Sequence, residues 1–265
     1  MFRYFKRNCQ SSSKNLKSNN LCIQKNKIAM KSLPVISLSF VAVATIFISS
    51  DALAEIFKTS RRLSGFSTDS RHYIYLESYR NPITETPKAQ LQIVNAPTNS
   101  CVEYGCIETE NTQESSSPTT QAAETELLKK TAVIRYKLKL NRPAAGRRLP
   151  ALSRVTNPDG SEVYTFLVKN KKDPLQVLMR QKYIPSVAYG GNADTDRAAL
   201  QLEIIYNNRR RTLSSLNTYR DNTMKYALRE VRLAPNGRSA VILMNTIEPA
   251  EQGAVQTTLV QSFPL

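Results

Sequence analysis

Two stretches near opposite ends of the chain repeat one pattern, and that pattern restricts the fold more than any other feature. The first runs Gly65-Phe66-Ser67-Thr68-Asp69-Ser70-Arg71-His72-Tyr73-Ile74-Tyr75-Leu76-Glu77. The second runs Val231-Arg232-Leu233-Ala234-Pro235-Asn236-Gly237-Arg238-Ser239-Ala240-Val241-Ile242-Leu243-Met244. Both read apolar, small, turn, Asp or Asn, small, Arg, then a run of aromatic and β-branched residues. A proline fixes φ for the turn, Asp or Asn bonds its own backbone, and Ser or Gly accepts the last corner. Asp69, Arg71, Asn236, Gly237 and Arg238 are therefore assigned to structural turns.

The rest of the chain reads as more hairpins. Tyr73, Tyr75 and Glu77 alternate with Ile74, Leu76 and Ser78, a strand with two faces. A loop over 79–87 leads to a return strand at Lys88–Asn95. Strands follow at Ala151–Val155, before the Asn157-Pro158-Asp159-Gly160 turn, and at Glu162–Val168, Leu175–Tyr183, Ala198–Tyr206 and Arg209–Ser215. Asn207-Asn208 suits a type I′ turn, in which both residues need positive φ. Tyr226–Leu233, Ser239–Asn245 and Ala254–Phe263 complete the set, with a loop at Glu248–Gly253. One helix is expected over about 118–138, capped by Ser117 with Pro118 at its first position and stopped by Pro143, after a polar linker at 109–117. The expected fold class is mainly β (α+β): antiparallel hairpins or blade-like sheets packed with one prominent helix, in a single domain over 55–265.

Residues 1–54 read as an address rather than as fold material. Met30-Lys31-Ser32, an uncharged Leu33–Ser50 run and the ending Asp51-Ala52-Leu53-Ala54 have the three parts of a secretory signal, with Ala52 and Ala54 at the cleavage positions. The competing reading is an uncleaved anchor, since about 18 uncharged residues just span a bilayer. Residues 1–29 are basic, Ser-rich and acid-free; either translation starts at Met30, or they form a transit peptide toward an internal lumen. Of 37 Lys and Arg and 21 Asp and Glu, eight bases and one acid fall in 1–54, which leaves 29 against 20 and +9 for 55–265. That balance favours an acidic partner over nucleic acid, for which no recognition motif is present. Cys101 and Cys106, the two cysteines left after the leader, are expected to form a disulfide in an oxidising compartment.

The units Phe66-Ser67-Thr68-Asp69-Ser70-Arg71 and Leu233-Ala234-Pro235-Asn236-Gly237-Arg238 resemble the F-S-P-D-G-R unit of TolB-type β-propeller blades. This chain departs from that unit at Thr68 and Ser70, where Pro and Gly are expected. The wider layout of signal peptide, blade-like unit, helix, β-rich middle and terminal unit resembles a bacterial family of predicted secreted proteins of unknown function. The resemblance implies export and hairpin sheets, and brings no catalytic residues.

Chemistry is sparse. His72 is the sole histidine, so a nucleophilic triad has one place to form. No phosphate-cradling glycine loop, dinucleotide fingerprint or Gly-x-Ser-x-Gly occurs, and no cofactor or metal is expected. Asp159, Asp194 and Asp196 lack the closing acid of a calcium loop. Arg209, Arg210 and Arg211 sit at a hairpin tip and, with Arg147, Arg148 and Lys169, Lys171 and Lys172, are expected to form a basic face. The leading expectation is a non-enzymatic binding or scaffold module, periplasmic or secreted, engaging an envelope protein or an anionic envelope component. Membrane contact is expected only through an uncleaved leader. An envelope hydrolase using two carboxylates, or a membrane-tethered interaction protein, is the alternative.

Overall fold

The computed structural model describes residues 55–81, 84–110, 119–168, 174–250 and 253–265. The expected cleavage positions Ala52 and Ala54, the start at Met30, the helix cap Ser117 with Pro118, and Lys169, Lys171 and Lys172 lie outside the described residues. In chain order come β1 (Ile56–Lys58), β2 (Ser60–Phe66), β3 (His72–Arg80), β4 (Pro87–Asn95) and β5 (Ser100–Glu110). Two helices follow, α1 (Thr120–Lys130) and α2 (Ala132–Lys137). Then come β6 (Arg147–Arg148), β7 (Ala151–Thr156), β8 (Glu162–Phe166), β9 (Leu175–Ile184), β10 (Arg197–Tyr206), β11 (Arg209–Leu213) and β12 (Tyr219–Asp221). The chain ends with β13 (Lys225–Leu233), β14 (Ser239–Ala250) and β15 (Gly253–Pro264).

These strands make three sheets. The first has the order β2-β3-β4-β5, the second β11-β10-β9-β8-β7 with β12 on β10, and the third β1-β15-β14-β13-β6. All pairs are antiparallel except β1 with β15. Side-chain alternation along β14 gives the stacking order. Ala240, Ile242 and Met244 join the core shared with the second sheet, while Val241 and Leu243 join the core shared with the first. The third sheet therefore lies between the other two. On the far side of the first sheet, Ile74, Leu76, Leu91 and Ile93 pack against Ala123 and Leu127 of α1. Helix, first sheet, third sheet and second sheet form four layers, each sheet being hydrophobic on the face it covers.

One turn recurs in each sheet. In the β2–β3 link, the amide of Ser70 donates to the Ser67 carbonyl (2.8 Å) and the amide of Arg71 to Asp69 Oδ1 (3.1 Å). In the β13–β14 link, Gly237 donates to the Ala234 carbonyl (2.9 Å) and Arg238 to Asn236 Oδ1 (2.9 Å). The β7–β8 link repeats it, with Gly160 donating to Asn157 (3.0 Å) and Ser161 to Asp159 Oδ1 (2.9 Å). The corner residue has positive φ each time, 60° at Ser70, 69° at Gly237 and 77° at Gly160. Ser70 thus takes the left-handed conformation that its glycine counterparts adopt without steric cost.

Several boundaries differ from the sequence expectation. The helix over 118–138 is two helices. Thr119 Oγ1 caps the first by accepting from the Ala122 amide (3.2 Å). Thr131, buried and β-branched, ends it: its hydroxyl and its amide both donate to the Leu127 carbonyl. The cysteine segment, for which no strand was expected, is a bulge within β5, since Cys101 pairs with Val94 and Cys106 with Gln92. The expected linker at 109–117 begins later, because β5 extends through Thr109 and Glu110.

The first and third sheets meet through a polar seam. Glu77 is fully buried, and its Oε1 accepts from the Thr258 amide (2.6 Å) and from Gln90 Nε2. Its Oε2 accepts from Thr59 Oγ1 (2.6 Å) and Thr258 Oγ1 (2.7 Å). Replacing Glu77 by Ala strips acceptors from these buried donors, each costing about 1–3 kcal/mol when left unmade. Chemical denaturation of Glu77→Ala should show a loss of about 3 kcal/mol or more; a loss below about 1 kcal/mol would contradict the buried network.

Candidate functional site

The β10–β11 hairpin carries the basic tip. Tyr206 pairs with Arg209 across Asn207-Asn208, whose φ values are 48° and 58°, the expected type I′ geometry. Register then sorts the three arginines. Arg209 lies opposite Tyr206 and Arg211 opposite Ile204, on the face that carries the core shared with the third sheet. Arg210 lies opposite Ile205, and its Nε meets Glu203 Oε1 at 2.7 Å. Glu203 also holds Arg180 at 3.5 Å, so it neutralises part of the opposite face. Among the described residues, no carboxylate forms an ion pair with Arg209 or Arg211. These two border a hollow of 730 Å³ whose other walls include Ile204, Tyr206, Pro264 and Leu265.

Arg147 and Arg148 do not join this group. They form β6, paired with Arg232 and Leu233 at the opposite edge of the third sheet. Arg148 opens on a different hollow, of 380 Å³, beside Tyr164, Phe166 and Leu228. The expected single basic face is therefore divided, because β14 and β9 separate the two edges of the paired sheets.

Sequence reading passed over the most densely charged cluster. Glu230 is buried, 3.0 Å from Arg232, 3.3 Å from Arg61 and 3.5 Å from Arg148. A β-bulge at Arg229 makes this possible, because it shifts the register between Leu228 and Glu230 and turns both Arg229 and Glu230 toward the first sheet. Arg229 there donates to Tyr75 Oη (2.9 Å) and Thr258 Oγ1 (3.2 Å) and lies over the Tyr75 ring. Burial raises the Glu230 carboxyl pKa, but the Arg232 hydrogen bond and the charges of Arg232, Arg229 and Arg61 outweigh it and hold the group below the ordinary carboxylate value. In the sequence the only sign was the alternation Arg229-Glu230-Val231-Arg232.

Two acids share a smaller hollow. Glu108 and Glu248 line a 170 Å³ space with Gln90 and Thr257. Burial, reinforced by the charges of Glu108 and Glu77, pushes the Glu248 carboxyl up against a 2.6 Å hydrogen bond from Thr257 Oγ1. Asp159 and Asp196 serve turns and loops instead: Asp196 accepts from the Tyr183 hydroxyl and the Ser186 amide. No group of three or more metal-ligating side chains occurs among the described residues. Cys101 and Cys106 are bonded, their Cα atoms 5.9 Å apart.

The architecture defines a layered, antiparallel three-sheet β protein with a disulfide-pinned edge strand and arginine-lined openings. The chain belongs to the family described as "Predicted secreted protein (DUF2259)", whose model matches residues 81–262. The match begins after the first turn unit and takes in the other two. No curated protein and no solved structure matches the chain. Among the described residues, no helix is long and apolar enough to cross a membrane.

Two outcomes follow from this geometry. Because the folded pKa of Glu230 is depressed below 4.5, its contribution is complete above that value and is lost as pH falls through the folded pKa. Wild-type protein should therefore lose more stability than Glu230→Gln between about pH 5 and about pH 3 in acid unfolding; parallel curves would contradict the cluster. Cys101→Ser with Cys106→Ser should lower unfolding stability by about 2 kcal/mol, the low end expected for a short closed loop, and an unchanged midpoint would contradict the clamp.

Proposed function

We propose that this protein is a non-enzymatic binding or scaffold module of the cell envelope, periplasmic or released, that engages an anionic envelope component through the β10–β11 tip. One observation carries the reading. Glu230 gathers Arg61, Arg148 and Arg232, and Glu203 gathers Arg180 and Arg210, whereas Arg209 and Arg211 form no ion pair among the described residues. Unneutralised guanidiniums on a hairpin tip are suited to phosphate or carboxylate, since their fork of donors matches both. The net charge of +9 over 55–265 adds long-range attraction toward such a surface.

Changing Arg209, Arg210 and Arg211 together to Ser should weaken capture of purified protein on isolated anionic envelope material by about tenfold and flatten its salt dependence. Unchanged capture would rule the tip out.

A second reading, a hydrolase using a carboxylate pair, is favoured by Glu108 and Glu248 sharing one hollow. A carboxyl raised by burial suits a general acid, and an exposed one a base. In that case Glu248→Gln would abolish any release of fragments from envelope polymer while leaving tip-dependent capture intact. Absence of fragment release by wild-type protein would remove this reading.

A further inference from the structure

The hollow beside Arg209 and Arg211 differs from an ordinary basic surface in what stands opposite the charges. Cross-strand register fixes Arg209 against Tyr206 and Arg211 against Ile204, so both arginines rise from the strand face that carries the core. Ile204 and Tyr206 belong to the core between the second and third sheets, and Leu265 packs partly against it. The hollow is thus the mouth of that core, rimmed on one side by two guanidiniums and floored by apolar side chains. Its 730 Å³ lies within the range of small-molecule sites. The two arginine Cα atoms, two residues apart on a strand, are about 7 Å from each other, a span that lets both guanidiniums close on one tetrahedral anion.

A long hydrophilic polyanion uses the charges and leaves the apolar floor wet. A molecule with one anionic head and a linear apolar body satisfies both walls at once. We infer that this hollow binds a single-chain anionic amphiphile, with a phosphate monoester head between Arg209 and Arg211 and an alkyl chain directed over Ile204 and Tyr206 toward Leu265. The inference rests on the tip being the anion-binding element and adds the chemical class of its ligand. Arg210 borders the same hollow, but its ion pair with Glu203 places its charge on the other face.

The test compares methyl, butyl and octyl phosphate, each kept monomeric, by titration calorimetry on the purified protein, with octanoate and inorganic phosphate as further arms. Each added methylene buried on the floor should tighten binding roughly threefold, so octyl phosphate should exceed methyl phosphate by about a hundredfold when about four of its seven added methylenes are buried, and by more when all are. Octanoate should bind more weakly than octyl phosphate, and tighter octanoate binding would overturn the phosphate head. Arg209→Ser with Arg211→Ser should weaken octyl phosphate by tenfold or more without changing the thermal midpoint, while Arg210→Ser should change it less than threefold. Equal affinity for methyl, octyl and inorganic phosphate, with the double variant still impaired, would overturn the amphiphile and leave the anion-binding tip standing. Octyl phosphate binding unaffected by the double variant would overturn the assignment of the hollow. No binding of any phosphate by the wild-type protein, together with unchanged capture of envelope material by the double variant, would overturn both.

Discussion

The free edge of β15 is the constraint on which the layered arrangement depends. The short β1 covers that edge only at Ala254–Gln256. Beyond it, the outward backbone groups would be buried against the first sheet without partners, at a cost no small domain tolerates repeatedly. Side chains of the first sheet take the place of a neighbouring strand. Glu77 accepts from the Thr258 amide, Gln92 accepts from the Val260 amide at 3.1 Å, and Asn99 accepts from the Ser262 amide at 2.7 Å. Gln90 and Gln92 donate in turn to the Thr258 carbonyl, at 3.2 and 2.5 Å. These bonds set which part of the first sheet lies over which part of β15, because Glu77, Gln92 and Asn99 each accept from a different β15 amide.

This seam also accounts for the composition of the two faces of the first sheet. The face toward α1 is plain hydrophobic core, Ile74, Leu76, Leu91 and Ile93. The face toward the third sheet mixes Tyr73, Tyr75 and Val94 with Glu77, Gln90 and Gln92. Arg229 belongs to the same seam, held there by the bulge in β13, and so links the edge network to the Glu230 cluster beside it. Part of the charge that in the sequence looks like a solvated basic surface, Arg61, Arg229 and Arg232, is used to bind the first sheet to the third.

How much of this was legible followed from how local each feature is. Turn chemistry is local: Asn207-Asn208, Pro235-Asn236-Gly237 and Asn157-Pro158-Asp159-Gly160 each announced a hairpin, and the hydrogen bonds of the last show its kinship with the Ser67–Arg71 and Ala234–Arg238 turns. The β3, β4, β8, β9, β10, β13 and β14 strands carry enough β-branched and aromatic residues to be read directly. By contrast, β2, with Ser60-Arg61-Arg62, and the short β6 and β12 have no strand signal of their own and form because a neighbour supplies the ladder. Stacking order was illegible, since the last sheet in the chain lies between the first two. For the same reason Arg147 and Arg148 parted from Arg209–Arg211, and the Glu230 cluster, gathered from β2, β6 and β13, left almost no trace in the sequence. Within the tip, the alternation that separates Arg210 from Arg209 and Arg211 was available from strand periodicity once the two-residue turn was recognised.

The most direct test of the edge network is native-state hydrogen exchange at the amides of Thr258, Val260 and Ser262. An unpaired edge strand exchanges by local fraying, whereas amides donating to buried side chains exchange only when the sheets separate. The account predicts protection of these three amides comparable to that of the β14 core amides, with selective loss at Thr258 when Glu77 is replaced. Rapid exchange of all three in the intact protein would contradict it, and with it the proposal that the first sheet's side chains close the edge of the third.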